Sequence, residues 1–344
     1  METILLLAHV ESDGSLGKPA LEALAAAKAI QEALEGASLT VGLSGADVGA
    51  AARQVGSCGA SCWLAVAGPE FTQPRYATDA AAAEALSRAS GATLIIAPAT
   101  SRWSRCLAGV AQRLDGRIDT HVTGASVADR KLTVTRWYYR QRMEASIERA
   151  RRPWFILIDT GCYQPWAGDA APVALESVAV ELPAAAVRTT FLEVKAPRAD
   201  EQTIRPDANL LFVAGAGWTK KQPDGKTHVP EAAALILSFI RQTQASLGSS
   251  KSLVDLSGEG QDVLPFLTHL NQVGQTGSTP RHPRGLAVCC HGEEPHVVGW
   301  RFVNERRAIN LDANCGWARG KADVLYVADA FEVMAKVNAL LAGK

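Results

Sequence analysis

The chain has 344 residues, 47% of them hydrophobic and 20% charged, which leaves room for two domains and excludes a disordered polymer. Lys plus Arg and Asp plus Glu both total 35, so the formal charge is zero, and a nucleic-acid binder working through a general positive field is excluded. The seven cysteines are odd in number and scattered, which does not describe a secreted disulfide framework and points to a reducing cytoplasm; heavy use of Ala and Arg suggests a bacterial source.

The opening Met1-Glu2-Thr3 carries acid where a signal peptide carries base, and its apolar run stops at His9. A first buried strand is expected there, over residues 3–7, with neither a secretory signal nor a membrane span. Apolar positions Leu21, Leu24, Ala27, Ile30 and Leu34 recur at helical spacing and predict a helix over 19–34. Next come a strand over 38–43, a short helix over 48–55, a strand over 62–67, a helix over 77–90 and a strand over 92–97. Cys58 and Cys62 are spaced to share one helical face and read as buried packing residues. The stretch from Arg136 to Arg152 mixes base with Trp137, Tyr138 and Tyr139. Its alternation predicts a strand with a solvated face, better suited to a protein partner than to nucleic acid.

The polar segment 196–207, with Pro197 and Pro206, is the linker between an N-terminal domain, 1–195, and a C-terminal domain, 208–344. Beyond it, a strand over 209–214 runs into Gly215-Ala216-Gly217, where glycines permit close backbone approach and positive φ as in a phosphate-cradling turn. The third glycine of a dinucleotide fingerprint is missing, so a bare turn is an equal reading. A helix over 232–245, strands at 286–288, 307–310 and 323–329, and a last helix over 330–341 complete the pattern. The β-α-β rhythm predicts two α/β domains, each built on a parallel sheet in the Rossmann-like manner, with ligands beyond the carboxyl ends of the strands.

The segment Gln272-Val273-Gly274-Gln275-Thr276-Gly277-Ser278 packs glycines, amides and hydroxyls into a loop, which on its own reads equally as a surface turn. The string QVGQTG resembles the flavin-binding signature of electron transfer flavoprotein alpha subunits. Residues 245–255 (ASLGSSKSLVD) are similar to the family's "AxxGxSRxxVD", and 288–299 (VCCHGEEPHVVG) line up without gaps on "VGISGAIQHLAG". Residues 308–312 (AINLD) match "AINKD"; Ala322-Asp323 and Val327-Ala328-Asp329 match the late "AD" and "VAD"; Gly14-Ser15-Leu16 and Ala97-Pro98-Ala99-Thr100 match the opening "GxL" and "APAT".

The resemblance implies an FAD-carrying alpha subunit, with 1–195 contacting a beta subunit and 208–344 holding FAD. Its electrons would come from a donor dehydrogenase and go to an acceptor oxidoreductase such as a quinone reductase, with no small-molecule substrate and no catalytic residue. Gln275 and Thr276 would lie along the flavin ring and ribityl chain, within the loop of Gln272, Gly274 and Gly277. His296 would face the O2/N1 edge, where reduction places negative charge and a donor stabilises the reduced forms. Asn310 and Asp323, with Asp312 nearby, would hold the adenosine end. Ser249 and Ser250 would lie near the phosphates or ring, and Lys251 stands where the family has its ring-side arginine, keeping the charge but not the planar fork.

Two further departures matter. The family's "GGRG" turn becomes Gly215-Ala216-Gly217, followed by Trp218, Lys220 and Lys221 as substitutes. The "GISGAIQH" segment becomes Cys289-Cys290-His291-Gly292-Glu293-Glu294-Pro295-His296, two of whose acids would repel a pyrophosphate at a helix start, offset by Arg281 and Arg284. His291 and Gly292 stay among the cofactor-binding candidates. Adjacent cysteines rarely share a tetrahedral site, so no metal is expected. The altered segment favours one alternative, a nucleotide-binding scaffold subunit that has lost flavin redox function. A flavin enzyme acting on its own small substrate is a third reading, disfavoured by the lack of a catalytic constellation.

Overall fold

The structure, a computed structural model, describes residues 1–139, 143–193, 204–205, 208–255, 262–274, 279–288, 303–314 and 322–343. By contacts the chain divides into two compact units, one formed by Met1–Tyr139 and Met143–Val194, the other containing Lys195–Lys344.

In the first unit, β1 (Thr3–His9), β2 (Ser38–Gly45), β3 (Cys62–Ala67), β4 (Leu94–Pro98), β5 (Arg117–Ala128), β6 (Lys131–Tyr138), β7 (Met143–Ile147), β8 (Trp154–Ile158) and β9 (Leu175–Ser177) form one sheet. Its order is β7-β6-β5-β8-β4-β1-β2-β3-β9. All pairings are parallel except β5 with β6 and β6 with β7. Central strands such as β4 and β8 are buried at every position, as strands covered on both faces must be. Helices α1 (Lys18–Ala33) and α2 (Gly49–Gln54) supply one face of the core, and α3 (Tyr76–Ser90) and α4 (Ser101–Arg113) the other. Alanines 20, 23, 26 and 27 of α1 are buried, and their small side chains let the helix lie close to the sheet. The helix α3 ends at Gly91, in the left-handed region at φ +59°, and Thr100 caps α4 by accepting the Trp103 N–H. The basic and aromatic stretch forms β6 and β7, the antiparallel extension of an otherwise parallel sheet.

The cysteine pair differs from expectation. Cys58 lies in the turn after α2 and is fully buried, whereas Cys62 opens β3 and is partly exposed, its thiol 3.6 Å from a Glu176 carboxylate oxygen. The helix has already ended at Gln54, and Gly59, at φ +80°, turns the chain between the two.

The second unit holds β10 (Leu210–Ala214), β11 (Ser246–Ser249), β12 (His282–Val288), β13 (Val303–Asn310) and β14 (Val324–Val327). They form a wholly parallel sheet in the order β11-β10-β12-β13-β14. Helices α5 (Val229–Thr243) and α7 (Ala330–Ala342) share a core with one face, and the short α6 (Lys251–Asp255) follows β11. A second cluster around Leu211, Val213 and Ala308 lies on the other face. Mixed α/β architecture, with one mostly parallel and one wholly parallel sheet, is thus the fold class read from the sequence. Among the described residues no helix is long and apolar enough to cross a membrane.

Candidate functional site

The strand order of the second sheet reverses direction between β10 and β12, and in open parallel sheets ligands bind beyond the carboxyl ends at such a reversal. β10 ends at Ala214, and the Gly215 N–H donates to Val288 O (2.9 Å) at the end of β12. A tight, buried turn over Ala216–Thr219 follows. Neither Gly215 (φ −94°) nor Gly217 occupies the left-handed region, so the positive φ expected of this pair is absent. The Ala216–Thr219 turn is fully buried instead.

β11 is short and buried throughout, and Gly248 explains how a loop reaches it. A Cβ there would fall 2.5 Å from Val273 Cγ1, so only glycine lets residues 272–274 lie alongside. The Val273 N–H donates to Ser249 O (3.1 Å), and Ser249 forms a parallel bridge with Gln272. Gly274 turns at φ +77° and donates its N–H to the Thr279 hydroxyl (2.9 Å). Below it, the Asn271 amide donates to Leu247 O (3.0 Å) and accepts from the Thr268 N–H (3.0 Å). Sequence reasoning singled out neither Thr279 nor Asn271. Their signal is only a polar residue at each flank of a glycine-rich loop.

The Ser250 N–H donates to Ala214 O (2.9 Å), which fixes β11's end beside β10's. Ser249 and Ser250 are buried, at 0% and 3% exposure, yet among the described residues neither hydroxyl has a hydrogen-bond partner, and the Gln272 side-chain N–H2 is likewise buried and unpartnered. An unpaired buried polar group costs about 1–3 kcal/mol, and three of them lie together at this sheet edge. Lys251 begins α6 directly after them.

Asn310 closes β13 and is buried. Its side-chain oxygen accepts from the Asp312 N–H (3.3 Å), and the Asp312 carboxylate accepts from the Asn314 N–H (2.8 Å). With neighbouring strands about 4.8 Å apart, the ends of β11 and β13 are about 14 Å apart, a span an extended dinucleotide covers. Asp323 is placed differently. It precedes β14 and accepts from the Arg306 N–H (2.7 Å) and from the guanidinium (2.7 and 3.3 Å). Those hydrogen bonds hold its carboxyl below the usual range. In the β13–β14 register, where Arg307 faces Val324, this is about four residues, or about 13 Å, back from the carboxyl end. The structure therefore gathers Gly215, Gly217, Ser249, Ser250, Lys251, Gln272 and Gly274 at one edge, sets Asn310 and Asp312 further along it, and leaves Asp323 at the opposite end. Gln275, Thr276, Gly277, His291, Gly292 and His296 lie outside the described residues, as do Cys289 and Cys290.

Residues 4–186, the greater part of the first unit, match the family model described as electron transfer flavoprotein domain. A comparison with curated proteins finds no match.

Proposed function

The chain belongs to the electron transfer flavoprotein family, and from that premise we propose that it is the FAD-carrying alpha subunit of a heterodimer. In this reading residues 1–195 contact a beta subunit, 196–207 connect, and 208–344 hold the cofactor. The observation that carries it is the trio of buried, unpartnered donors, Ser249 Oγ, Ser250 Oγ and Gln272 Nε2, at the carboxyl edge of a wholly parallel sheet. Hydroxyl and amide donors suit phosphate oxygens and ring carbonyls, and the Gly248 contact and the Gly274–Thr279 bond hold the segment that bears Gln272 against the strand that bears Ser249.

Bound FAD supplies reversible uptake and release of electrons. The chain's part is to bind, orient and tune. Ser249 and Ser250 hold the phosphates, while Gln272, Gly274, Gln275, Thr276 and Gly277 form the loop along the ring and ribityl chain. Gly215 and Gly217 leave room for the backbone to approach. Asn310 and Asp312 receive the adenosine end. Asp323, already engaged by Arg306, has to exchange that partner if it joins them. Lys251 supplies positive charge beside the ring, and His296, with His291 and Gly292 near, supplies a donor where negative charge gathers on reduction. A donor dehydrogenase and an acceptor oxidoreductase are the redox partners. The setting is the cytoplasm, for which the odd, scattered cysteines of the sequence speak.

The full chain, copurified with its beta subunit, should show flavin absorption bands, and mass spectrometry of the released cofactor should identify FAD at one per heterodimer. A colourless complex that instead releases a plain adenine nucleotide overturns the redox reading in favour of the scaffold subunit.

A further inference from the structure

Five strands side by side span about 24 Å, and two helices set about 10 Å apart cover roughly four of them. Helices α5 and α7 lie on the face of the second sheet that carries Phe212, Ala214, Val288 and Ile309. Among the described residues, the β13–β14 side of that face is left as a groove. Alternation along the strands puts Leu286, Arg307, Ile309 and Tyr326 on its floor, with Val333 and Val337, one turn apart on α7, as the facing wall. The cavity measures about 680 Å³, within the range of small-molecule sites, about 300–1,000 Å³.

Its lining is mostly apolar, with Arg284, Glu305 and Arg307 as its charged members, one net positive charge. Arg284 is opposed by Glu305, whose carboxylate oxygen lies 3.6 Å from its Nε. Arg307 instead donates to the Tyr326 hydroxyl at 3.4 Å, and among the described residues it has no carboxylate partner. A phenol does not neutralise a guanidinium, so one positive charge and one hydroxyl stand together on an otherwise apolar floor. A planar carboxylate fits a guanidinium fork, and a hydrocarbon chain suits the apolar residues beside it. We propose that this groove binds a single-chain amphipathic carboxylate of the medium-chain fatty-acid type. Arg307 and the Tyr326 hydroxyl take its headgroup, and Leu286, Ile309, Val333 and Val337 line its chain. The site is on the sheet's face rather than its carboxyl edge and does not depend on the cofactor reading.

Calorimetric titration of the full chain with decanoate, below its critical micelle concentration, should show saturable one-to-one binding. Decanol should bind about tenfold more weakly or worse, the difference one charged hydrogen bond makes. Arg307→Gln should bring decanoate down to the decanol level and leave decanol unchanged, and Val337→Trp, which fills the slot, should abolish both. Circular dichroism checks that each variant is folded. If either fails to fold, Tyr326→Phe, which preserves shape, should still weaken decanoate severalfold and spare decanol. Absence of saturable decanoate binding, equal binding of decanol, or undiminished binding in folded Arg307→Gln or Tyr326→Phe overturns the proposal.

Discussion

Ser249 and Ser250 are informative because they make poor sense in the chain alone. A buried hydroxyl that finds no partner pays its desolvation, about 1–3 kcal/mol, for nothing. In the flavin-free chain, Ser249→Ala and Ser250→Ala should therefore leave stability unchanged or raise it by about 1 kcal/mol, as urea unfolding would read. Each should at the same time weaken flavin binding by about tenfold, the worth of one hydrogen bond to a charged oxygen. Flavin titration of the purified variants checks the second half. Destabilisation of both variants by more than about 2 kcal/mol with undiminished affinity would make the hydroxyls part of the scaffold. Gly248 is the counterpart case, because its role is purely spatial. The missing Cβ is what permits the 272–274 segment to bridge onto β11.

Among the elements, the antiparallel extension is held to the parallel core through one buried carboxylate. Asp119 of β5, 1% exposed, accepts from Arg149 at 2.9 Å on each oxygen and from the Trp154 indole at 2.9 Å, with Arg136 at 3.4 Å. Burial alone would raise its pKa, but the Arg149 and Trp154 hydrogen bonds and the nearby guanidiniums outweigh it and hold the group below its ordinary 3.8. A depressed folded pKa gives stability that is present above the unfolded value and lost as pH falls through the folded one. Asp119→Asn should cost about 1–3 kcal/mol, because the Trp154 indole and the partly solvated Arg149 then face a neutral amide where a charge accepted their hydrogen bonds. Urea unfolding should show that deficit constant between about pH 5 and 8, with the two proteins converging only below about pH 4. A deficit confined to neutral pH, or one below about 1 kcal/mol, would show that the extension is held by its backbone ladder instead.

At the scale of the whole molecule, what could be read from the sequence followed pattern length. Continuous apolar runs such as Ile4–Leu7 and long helical stripes such as that of α1 are repeated enough to declare their period, and two parallel-sheet domains followed from their alternation, although β5, β8 and β9 were not read. β11 was invisible as a strand because it is four residues of Ser, Leu, Gly and Ser, made a strand by pairing with β10 rather than by propensity. α4 was missed for a related reason, since Arg102, Trp103, Arg105 and Cys106 dilute the apolar stripe although Trp103, Cys106, Leu107 and Val110 are buried. The edge that gathers Ser249, Ser250 and Gln272 was legible only through family likeness. Its geometry depends on which strand ends lie side by side, which no local window contains. The same two-core construction yields the last prediction. Each unit buries its own apolar clusters, so calorimetry of the flavin-free chain should show two transitions, with the fragment 1–194 reproducing one of them. A ligand stabilises only what it binds, by about 2.7 kcal/mol at a hundredfold excess over its dissociation constant. FAD should accordingly raise the midpoint of the second unit by on the order of 5–10 °C and leave the fragment's transition where it was. Addition of the beta subunit should move the fragment's own transition, the one carried by the family-matched residues. If FAD shifts the fragment instead, the cofactor site lies in the first unit, and the assignment of Ser249, Ser250 and the 272–277 loop is wrong.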